Sequence, residues 1–318
     1  MIRELAIAVL LQSGLGLTYA NPTAPPLEKL LDRLNSLHSP IKGMHDTLGG
    51  IQKDGYSTVA KLCGTSPRLW SSDFGFSTHP NDSIRLRNNY LNKARIMSRQ
   101  GVVITLSWHQ CNPTINEPCT FLEGVQKPLS DSDWKELLND GSSLNMRWKS
   151  QLDLIAKYLK ILRDEGVVVL FRPLHEANIP GFWWSHNDPA LTKSLWKKLR
   201  EYFTNYHNLN NLLWVWSVSY HPKYWGRVSA YYPGDDLVDV LAVDIYPPFR
   251  DMEPPFELVW DTLIKISNKK PIALAEVSRL PSMQGSEKQN WAYIVPWGKN
   301  MLIKENSITE ICRFYNNR

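Results

Sequence analysis

Two glutamates, Glu176 and Glu276, stand at the ends of short apolar runs a hundred positions apart in this 318-residue chain. The first lies in "VVVLFRPLHEAN" and the second in "PIALAEVS". A pair of carboxylates can hydrolyse a glycosidic bond when one is the nucleophile and the other the proton donor, about 5–5.5 Å apart in a retaining enzyme. The nucleophile must be ionised, and the donor must keep its proton near the working pH. We therefore take the two glutamates as candidates for these two roles.

Neighbouring residues favour this interpretation. Arg172 is available to keep Glu276 charged, and aromatic residues near Glu176 can raise the pKa of that carboxyl group. The alternative is that each glutamate is a loop carboxylate in a surface ion pair and that His175 is a hydrogen-bonded structural histidine. Two glutamates at apolar strand ends make that alternative weaker than it is for either residue alone.

Metal and nucleic-acid chemistry have little support in the sequence. His109, Cys111 and Cys119 could form a zinc site, but close CxxC pairs and an HExxH motif are absent, and "HEANI" lacks the second histidine. The formal net charge is +5, but the 36 basic and 31 acidic residues are interspersed without an extended basic run. We expect no metal, no organic cofactor and no nucleic-acid partner.

The two glutamates can meet only if the fold brings distant strand ends together. Apolar runs rich in β-branched residues alternate with helical periodicity, which indicates βα units and parallel strands. Eight such units predict an α/β fold of the (β/α)8 TIM-barrel type, whereas a doubly wound sheet would more often have a Gly-rich phosphate turn after its first strand. The predicted strands are Ile41–Met44, Pro67–Ser71, Val102–Ser107, Val167–Arg172, Asn211–Ser217, Val238–Val243, Pro271–Ala275 and Ala292–Pro296.

A barrel places its active site at the carboxyl ends of the strands. Strands four and seven face each other across the barrel, so Glu176 and Glu276 are expected in one cleft. Trp214 and Trp216 alternate on one strand face and are predicted to be core residues. The predicted outer helices have apolar faces formed by Leu152, Ile155, Ala156, Leu159 and Leu162, and by Leu191, Leu195, Leu199 and Tyr202.

The segment "FRPLHEANIPGFWW" resembles the acid/base signature of glycoside hydrolase family 26, a clan A family of mostly β-mannanases, whose usual form is close to R-P-x-H-E-x-N-G-x-W-F-W-W. The matching residues are Arg172, Pro173, His175, Glu176, Asn178, Phe182, Trp183 and Trp184. The resemblance continues in the family's order through "TLSWHQCNP", "NLLWVWSVS", "VDVLAVDIYP" and "KKPIALAEVS". It covers the chain from about Lys42 to Trp297.

The resemblance implies Glu176 as acid/base and Glu276 as nucleophile, with Tyr246 hydrogen-bonded to the nucleophile and Arg172 beside it. It further implies sugar contacts near the cleavage point, and stacking or cleft-wall roles for tryptophans. The implied contacts are His109, His175 and Asp244, and the tryptophans are Trp183, Trp184 and Trp297. Barrel packing is the alternative for each tryptophan.

The chain departs from the family pattern at two places. Where the family usually reads N-G-x-W, this chain reads Asn178-Ile179-Pro180-Gly181, so that glycine stands in place of the expected aromatic residue. The loss of that side chain is expected to widen the aglycone side of the cleft and to weaken stacking on the leaving group. "AEVS" replaces the usual T-E-x-G around Glu276. Neither change affects the two carboxylates.

The first twenty residues and the cysteines indicate export. Residues 1–20 resemble a secretory signal peptide, with a cytosolic helix as the alternative, and residues 21–318 are predicted to form one catalytic domain. Cys111 and Cys119 are expected to form a disulfide, whereas the pairing of Cys63 with Cys312 is left open. Asn81 begins a glycosylation sequon. We expect a secreted monomer that is not anchored in a membrane.

The sequence therefore predicts a secreted retaining endo-β-1,4-mannanase that acts on mannan, glucomannan or galactomannan. Within the same family, a mixed-linkage β-glucanase or a β-1,3-xylanase is the alternative. A carbohydrate-binding barrel without activity and a metal-dependent hydrolase are the alternatives from other classes.

Overall fold

The computed structural model describes residues 25–46, 54–75, 77–78, 81–246, 253–282 and 289–317. Eight parallel strands form a closed barrel in which β1 pairs with β2 on one side and β8 on the other. The (β/α)8 prediction is confirmed. The predicted signal segment, residues 1–20, lies outside the described residues. The strands are β1 (Ile41–His45), β2 (Leu69–Asp73), β3 (Val103–Trp108), β4 (Val169–Pro173), β5 (Leu212–Ser219), β6 (Val240–Ile245), β7 (Ile272–Val277) and β8 (Tyr293–Pro296).

Helices surround the barrel. None of the helices in the described ranges is long and apolar enough to cross a membrane. The sequon residue Asn81 lies in a short antiparallel pair of strands, Ser77–Thr78 with Asn81–Asp82. The helices are α1 (Pro25–Ser36), α2 (Gly55–Cys63), α3 (Ser83–Arg99), α4 (Asp131–Leu138), α5 (Ser143–Asp164), α6 (Pro189–Glu201), α7 (Pro222–Trp225), α8 (Phe256–Ile266), α9 (Lys299–Glu305) and α10 (Ile308–Asn316). Two π-helical turns, Phe121–Val125 and Tyr202–Tyr206, and two 3-10 turns, Val228–Tyr231 and Asp235–Leu237, complete the chain's regular structure in these ranges.

The two helices predicted from periodicity begin at recognisable caps. The Ser142 side chain accepts the backbone N–H of Asn145 before α5, and Asp188 accepts that of Ala190 before α6. The whole predicted apolar face of α5 is buried. In α6, Leu195 and Leu199 are fully buried, and the flanking Leu191 and Tyr202 are partly buried against the same core.

Strand residues alternate between the barrel interior and the layer under the helices. Trp214 points outward and contacts Phe171 and Trp196, with ring centroids 5.6 and 6.2 Å apart. Trp216 also points outward, against Tyr232. Both tryptophans are therefore core residues, as the sequence predicts.

The amino-terminal mouth of the barrel is closed by α1. Leu34 is buried against the apolar interior of the barrel, and Leu27, Leu30 and Leu31 pack around it. Full burial of one leucine side chain contributes about 1.5–3 kcal/mol. The other mouth, where the strands end, remains available for chemistry.

A β-bulge in β7 turns Glu276 toward the interior. Val243 of β6 pairs with Leu274, but the next residue, Asp244, pairs with Glu276, so Ala275 is an extra residue. Ala273 and Ala275 face the interior, so strict alternation would point Glu276 outward, like Leu274, and Val277 inward, whereas Val277 packs in the outer layer with Leu274. The bulge reverses that direction and places Glu276 opposite Asp244.

Two disulfides are present. Cys111 pairs with Cys119, as the sequence predicts, and Cys63 of α2 pairs with Cys312 of α10. The second bridge joins residues 249 positions apart, so it closes nearly the whole barrel. The loop of the first bridge is also held by Glu117, whose carboxylate accepts two hydrogen bonds from the buried Arg87 at 2.6 and 2.8 Å.

Candidate active site

Glu276 is held at the barrel mouth by two donors. The Arg172 guanidinium forms an ion pair with Oε1, and the Tyr246 hydroxyl donates to Oε2 at 2.5 Å. The carboxyl group is nearly inaccessible to solvent. The family resemblance implies these two neighbours for a nucleophile, which must attack as an anion.

Arg172 is itself fixed by a second carboxylate. Its Nη1 donates to Asp244 Oδ2 at 2.8 Å and to Ser217 Oγ at 3.3 Å, and Ser217 Oγ donates to Asp244 Oδ1 at 3.0 Å. Asp244 is fully buried beneath this network. The visible role of Asp244 is to anchor Arg172, while its predicted contact with sugar stays a prediction.

Glu176 lies on the loop that follows β4. Leu174 and Glu176 have φ values of 49° and 56°, which are unfavourable for side chains of this kind. The Glu176 N–H donates to the Ser217 carbonyl at 2.9 Å, and the Asn178 side chain exchanges two hydrogen bonds with the Ser219 backbone at 2.8 and 2.9 Å. These contacts to β5 hold the loop in its strained shape, as is common at functional sites.

The environment of Glu176 favours its protonated form. Burial raises the pKa of Glu176 to about 7, and the nearby Glu276 carboxylate adds to the rise, while Ser219, Arg172 and His109 oppose it. The fold therefore brings the two glutamates close enough for the charge of Glu276 to act on Glu176. One of them can hold a proton at neutral pH while the other is bound by a cation.

A chain of polar groups, Asp73, His109 and His175, runs beside the glutamates. Asp73 Oδ2 lies 2.9 Å from His109 Nδ1, and His109 Nε2 lies 3.1 Å from His175 Nε2. Burial disfavours a charged His109, but Asp73 outweighs it and raises the pKa of His109. Burial, and then the adjacent His109, lowers the pKa of His175 well below its usual value.

The sequence prediction does not include Asp73, because it ends the second strand at Ser71. The strand continues to Asp73, which lies opposite Ser107 of β3. A polar residue directly after "LWSS" is the same signal that identified the other strand ends, and it could have identified this one.

Trp297 forms part of the wall of the cleft. It is partly exposed after β8 and stacks on His45, with ring centroids 3.6 Å apart and planes at 18°. His45 is another residue missed by the prediction. Its Nδ1 lies 3.0 Å from Ser71 Oγ, and its buried Nε2 has no hydrogen-bond partner among the residues that the structure describes.

Trp183 and Trp184 are completely buried, which differs from an exposed stacking platform. Trp183 donates its indole N–H to the Gln110 carbonyl at 2.9 Å, and Trp184 donates to the His175 carbonyl at 2.8 Å. Phe182 stacks on Trp184 at 4.5 Å. The two tryptophans therefore form the wall behind His175, and their direct contact with sugar stays a prediction.

Within the described part of the chain, no group of three or more histidine, cysteine, aspartate or glutamate side chains is arranged to hold a metal ion. Cys111 and Cys119 are bonded to each other in a disulfide. His109 is paired with Asp73 and His175. The three residues considered for zinc thus have other partners.

Several known proteins are similar to this chain in sequence. Residues 42–318 match the model of glycosyl hydrolase family 26. A mannan endo-1,4-beta-mannosidase of Thermothelomyces thermophilus is 30% identical over 305 residues, covering 88% of this chain and 60% of that protein. One of Bacillus subtilis is 31% identical over 279 residues, covering 80% and 72%. Mannan endo-1,4-beta-mannosidase A and B of Caldalkalibacillus mannanilyticus is 37% identical over 195 residues, covering 59% and 36%. The chain thus spans 36% to 72% of the length of these relatives.

Solved structures share the fold. GH26A from a Muricauda species superposes with a TM-score of 0.82 at 30% identity, covering 93% of this chain and 96% of that one. A beta-mannanase from a symbiotic protist of the termite Reticulitermes speratus, complexed with gluco-manno-oligosaccharide, superposes with a TM-score of 0.79 at 26% identity, covering 93% of both chains. On the match over residues 42–318, the chain belongs to glycosyl hydrolase family 26.

Proposed function

We propose that this protein is a secreted, monomeric, retaining endo-β-1,4-mannanase. The observation that carries the proposal is the contrast between two glutamates in one site. Glu276 is bound by Arg172 and Tyr246, while burial raises the pKa of Glu176 to about 7. The names of the Thermothelomyces and Bacillus relatives, and the gluco-manno-oligosaccharide bound by the termite-protist protein, support mannan as the substrate.

In the first step, a Glu276 oxygen attacks the anomeric carbon and forms a glycosyl ester. The bond between that carbon and the glycosidic oxygen breaks, and Glu176 gives its proton to the departing oxygen. Arg172 and Tyr246 orient the attacking carboxylate. Because the anomeric carbon carries positive charge in the transition state, the carboxylates around it stabilise that state.

In the second step, a water molecule attacks the anomeric carbon of the ester from the opposite face. Glu176, now ionised, takes a proton from the water, and Glu276 leaves as a carboxylate. Two inversions give net retention. His109, His175 and Asp244 are proposed to hold the sugar at the cleavage point, with Trp297 as a wall of the cleft.

This chemistry needs neither metal nor organic cofactor. Export is supported by the predicted signal segment and by two disulfides, which persist in oxidising compartments. One disulfide closes the barrel and the other holds a loop next to the site. We propose that the mature protein begins after residue 20.

The proposal is tested by incubation with mannan, glucomannan, lichenan and β-1,3-xylan, each with and without a chelator. We expect mannan and glucomannan to yield manno-oligosaccharides, and the yield to be the same with and without chelator. The products are analysed by chromatography. Cleavage of lichenan or β-1,3-xylan without cleavage of mannan would identify the alternative activities of the family. Binding of a polymer without cleavage would identify a carbohydrate-binding barrel. Loss of cleavage in the presence of chelator would identify a metal-dependent hydrolase.

Gly181 is where this chain departs from the family pattern, and it has room for a side chain. A Cβ built on Gly181 meets no atom within 4 Å, and its φ is not in the left-handed region. Gly181→Trp is expected to lower KM for manno-oligosaccharides by about twofold to tenfold, because aromatic stacking contributes roughly 0.5–1.5 kcal/mol.

Gly181→Ala is the matched control, since it restricts the backbone equally but cannot stack on a sugar. It should leave KM near the wild-type value. If KM changes equally in both variants, or does not change in Gly181→Trp, then Gly181 does not lie on the aglycone side of the cleft. The KM values of both variants are obtained from initial rates on manno-oligosaccharides of increasing length.

A further inference from the structure

Asp73 binds His109 at two points. Oδ2 lies 2.9 Å from the ring Nδ1, and Oδ1 accepts the backbone N–H of His109 at 3.2 Å. Ser107 Oγ donates to Oδ2 at 2.6 Å. Asp73 is itself buried at the end of β2. One carboxylate therefore fixes both the position of the residue and the orientation of its ring.

The hydrogen positions follow from this geometry. An ionised Asp73 only accepts, so Nδ1 of His109 carries a hydrogen. The 3.1 Å contact between the two Nε2 atoms needs one more hydrogen, on either His109 or His175. If His109 carries it, that ring is an imidazolium and His175 is neutral with its hydrogen on Nδ1.

The surrounding charges favour the imidazolium on His109. Burial and Arg172 of β4 oppose a positive charge there, whereas Asp73 of β2 and Glu276 of β7 attract it. His45 and His175, which interact electrostatically with His109, are neutral because burial lowers the pKa of each. His175 faces the opposite balance, because Arg172 and a charged His109 both repel a proton from it. Glu176 also lies close enough for the charge of His109 to act on its pKa.

We propose that Asp73 is a positioning residue of this active site. By accepting the Nδ1–H of His109 it holds that ring as an imidazolium, whose Nε2–H is donated to His175, the residue directly before Glu176. The two rings then keep one arrangement, and the positive charge of His109 acts on the carboxyl group of Glu176. This inference rests on the proposed glycosidase function.

The charge has a defined effect on Glu176. A positive His109 opposes the rise in the pKa of Glu176 that burial causes. If His109 became neutral, the pKa of Glu176 would rise. Since Glu176 must be protonated to cleave the bond, the basic limb of the kcat/KM profile would move to higher pH.

Asp73→Asn is the decisive variant, because it keeps the shape and removes the charge. We expect the NMR titration of the His109 ring to move to lower pH, and kcat/KM at the optimum to fall by about tenfold or more because the ring tautomer is no longer fixed. The basic limb should move to higher pH. A purely structural role of Asp73 predicts a loss of activity without a shift in this direction.

Asp153→Asn is the matched control. Asp153 Oδ1 lies 2.8 Å from His207 Nε2, so the chain offers a second aspartate–histidine pair, on the outer helix α5. This variant should leave the His109 titration and the pH profile unchanged. If it shifts the profile as Asp73→Asn does, or if His109 titrates identically in Asp73→Asn and wild type, the proposal is wrong.

A measurement on the unmodified protein covers the case in which Asp73→Asn does not fold. Near neutral pH, both ring nitrogens of His109 should carry hydrogens in 15N spectra, and a neutral His109 would overturn the proposal. These spectra need no substrate. A charged His109 in a protein that cleaves none of the four polymers would therefore contradict the mannanase function while supporting the role of Asp73.

Discussion

Replacing Glu276 by alanine is expected to lower kcat/KM on mannan by roughly 10⁴-fold or more, the scale of loss when a covalent nucleophile is removed. Without this carboxylate no atom is placed to form the glycosyl ester. Binding of manno-oligosaccharides should remain largely intact, because Arg172 keeps Asp244 and Ser217 as partners. Hydrolysis rates and calorimetric titration measure the two effects separately.

Glu201→Ala is a suitable control, since Glu201 is an exposed glutamate at the end of α6. It should leave hydrolysis unchanged. Added azide gives a sharper test in Glu276→Ala. An activated aryl β-mannoside should yield the α-azide, because azide attacks from the vacated side and only one inversion occurs. Substantial residual hydrolysis of the aryl mannoside without azide would refute the nucleophile assignment.

The barrel could be predicted from the sequence because its strands and helices have different hydrophobic periods. The predicted face of α5 is fully buried, and all eight predicted strands exist. Strand ends were harder to predict. Seven strands end one or two residues beyond the predicted positions, and in five of them the added residues include a polar one that resembles the start of a loop: His45, Asp73, Ser219, Asp244 and Glu276.

The meeting of Glu276 with Arg172 could be predicted because both residues lie at strand ends and have opposite charges, whereas the contact of Tyr246 with Glu276 was predicted only from the family resemblance. The direction of Glu276 was not predictable, because it depends on the bulge at Ala275, which has no signal in "IALAEVS". A regular strand of the same composition would point this glutamate toward the helices.

The solvent exposure of the tryptophan side chains could not be predicted from the sequence either. Trp183 and Trp184 are fully buried, whereas Trp297 is partly exposed, although all three follow a strand. The difference arises from the loop after β4, which turns back over the barrel and gives each indole N–H a carbonyl acceptor. Such a contact between distant segments is not visible in a local pattern.

Replacing Glu176 by alanine should affect substrates according to their leaving groups. On mannan, whose sugar hydroxyl leaves poorly without a proton, kcat should fall by about 10² to 10⁴-fold. On an aryl β-mannoside with an acidic phenol, formation of the glycosyl ester should be nearly unaffected. Its hydrolysis then becomes slow, because no base activates water, so a burst of phenol followed by a slow steady state is expected.

The pH profile and azide separate this role from that of Glu276. With the pKa of Glu176 raised to about 7, wild-type kcat/KM on mannan should fall as the pH increases through that value, because the acid loses its proton. In Glu176→Ala this basic limb should disappear. Azide should yield the β-azide, since it attacks the ester formed by Glu276 and two inversions occur. Recovery of the α-azide, or an equal loss on mannan and on the aryl mannoside, would mean that Glu176 is not the proton donor.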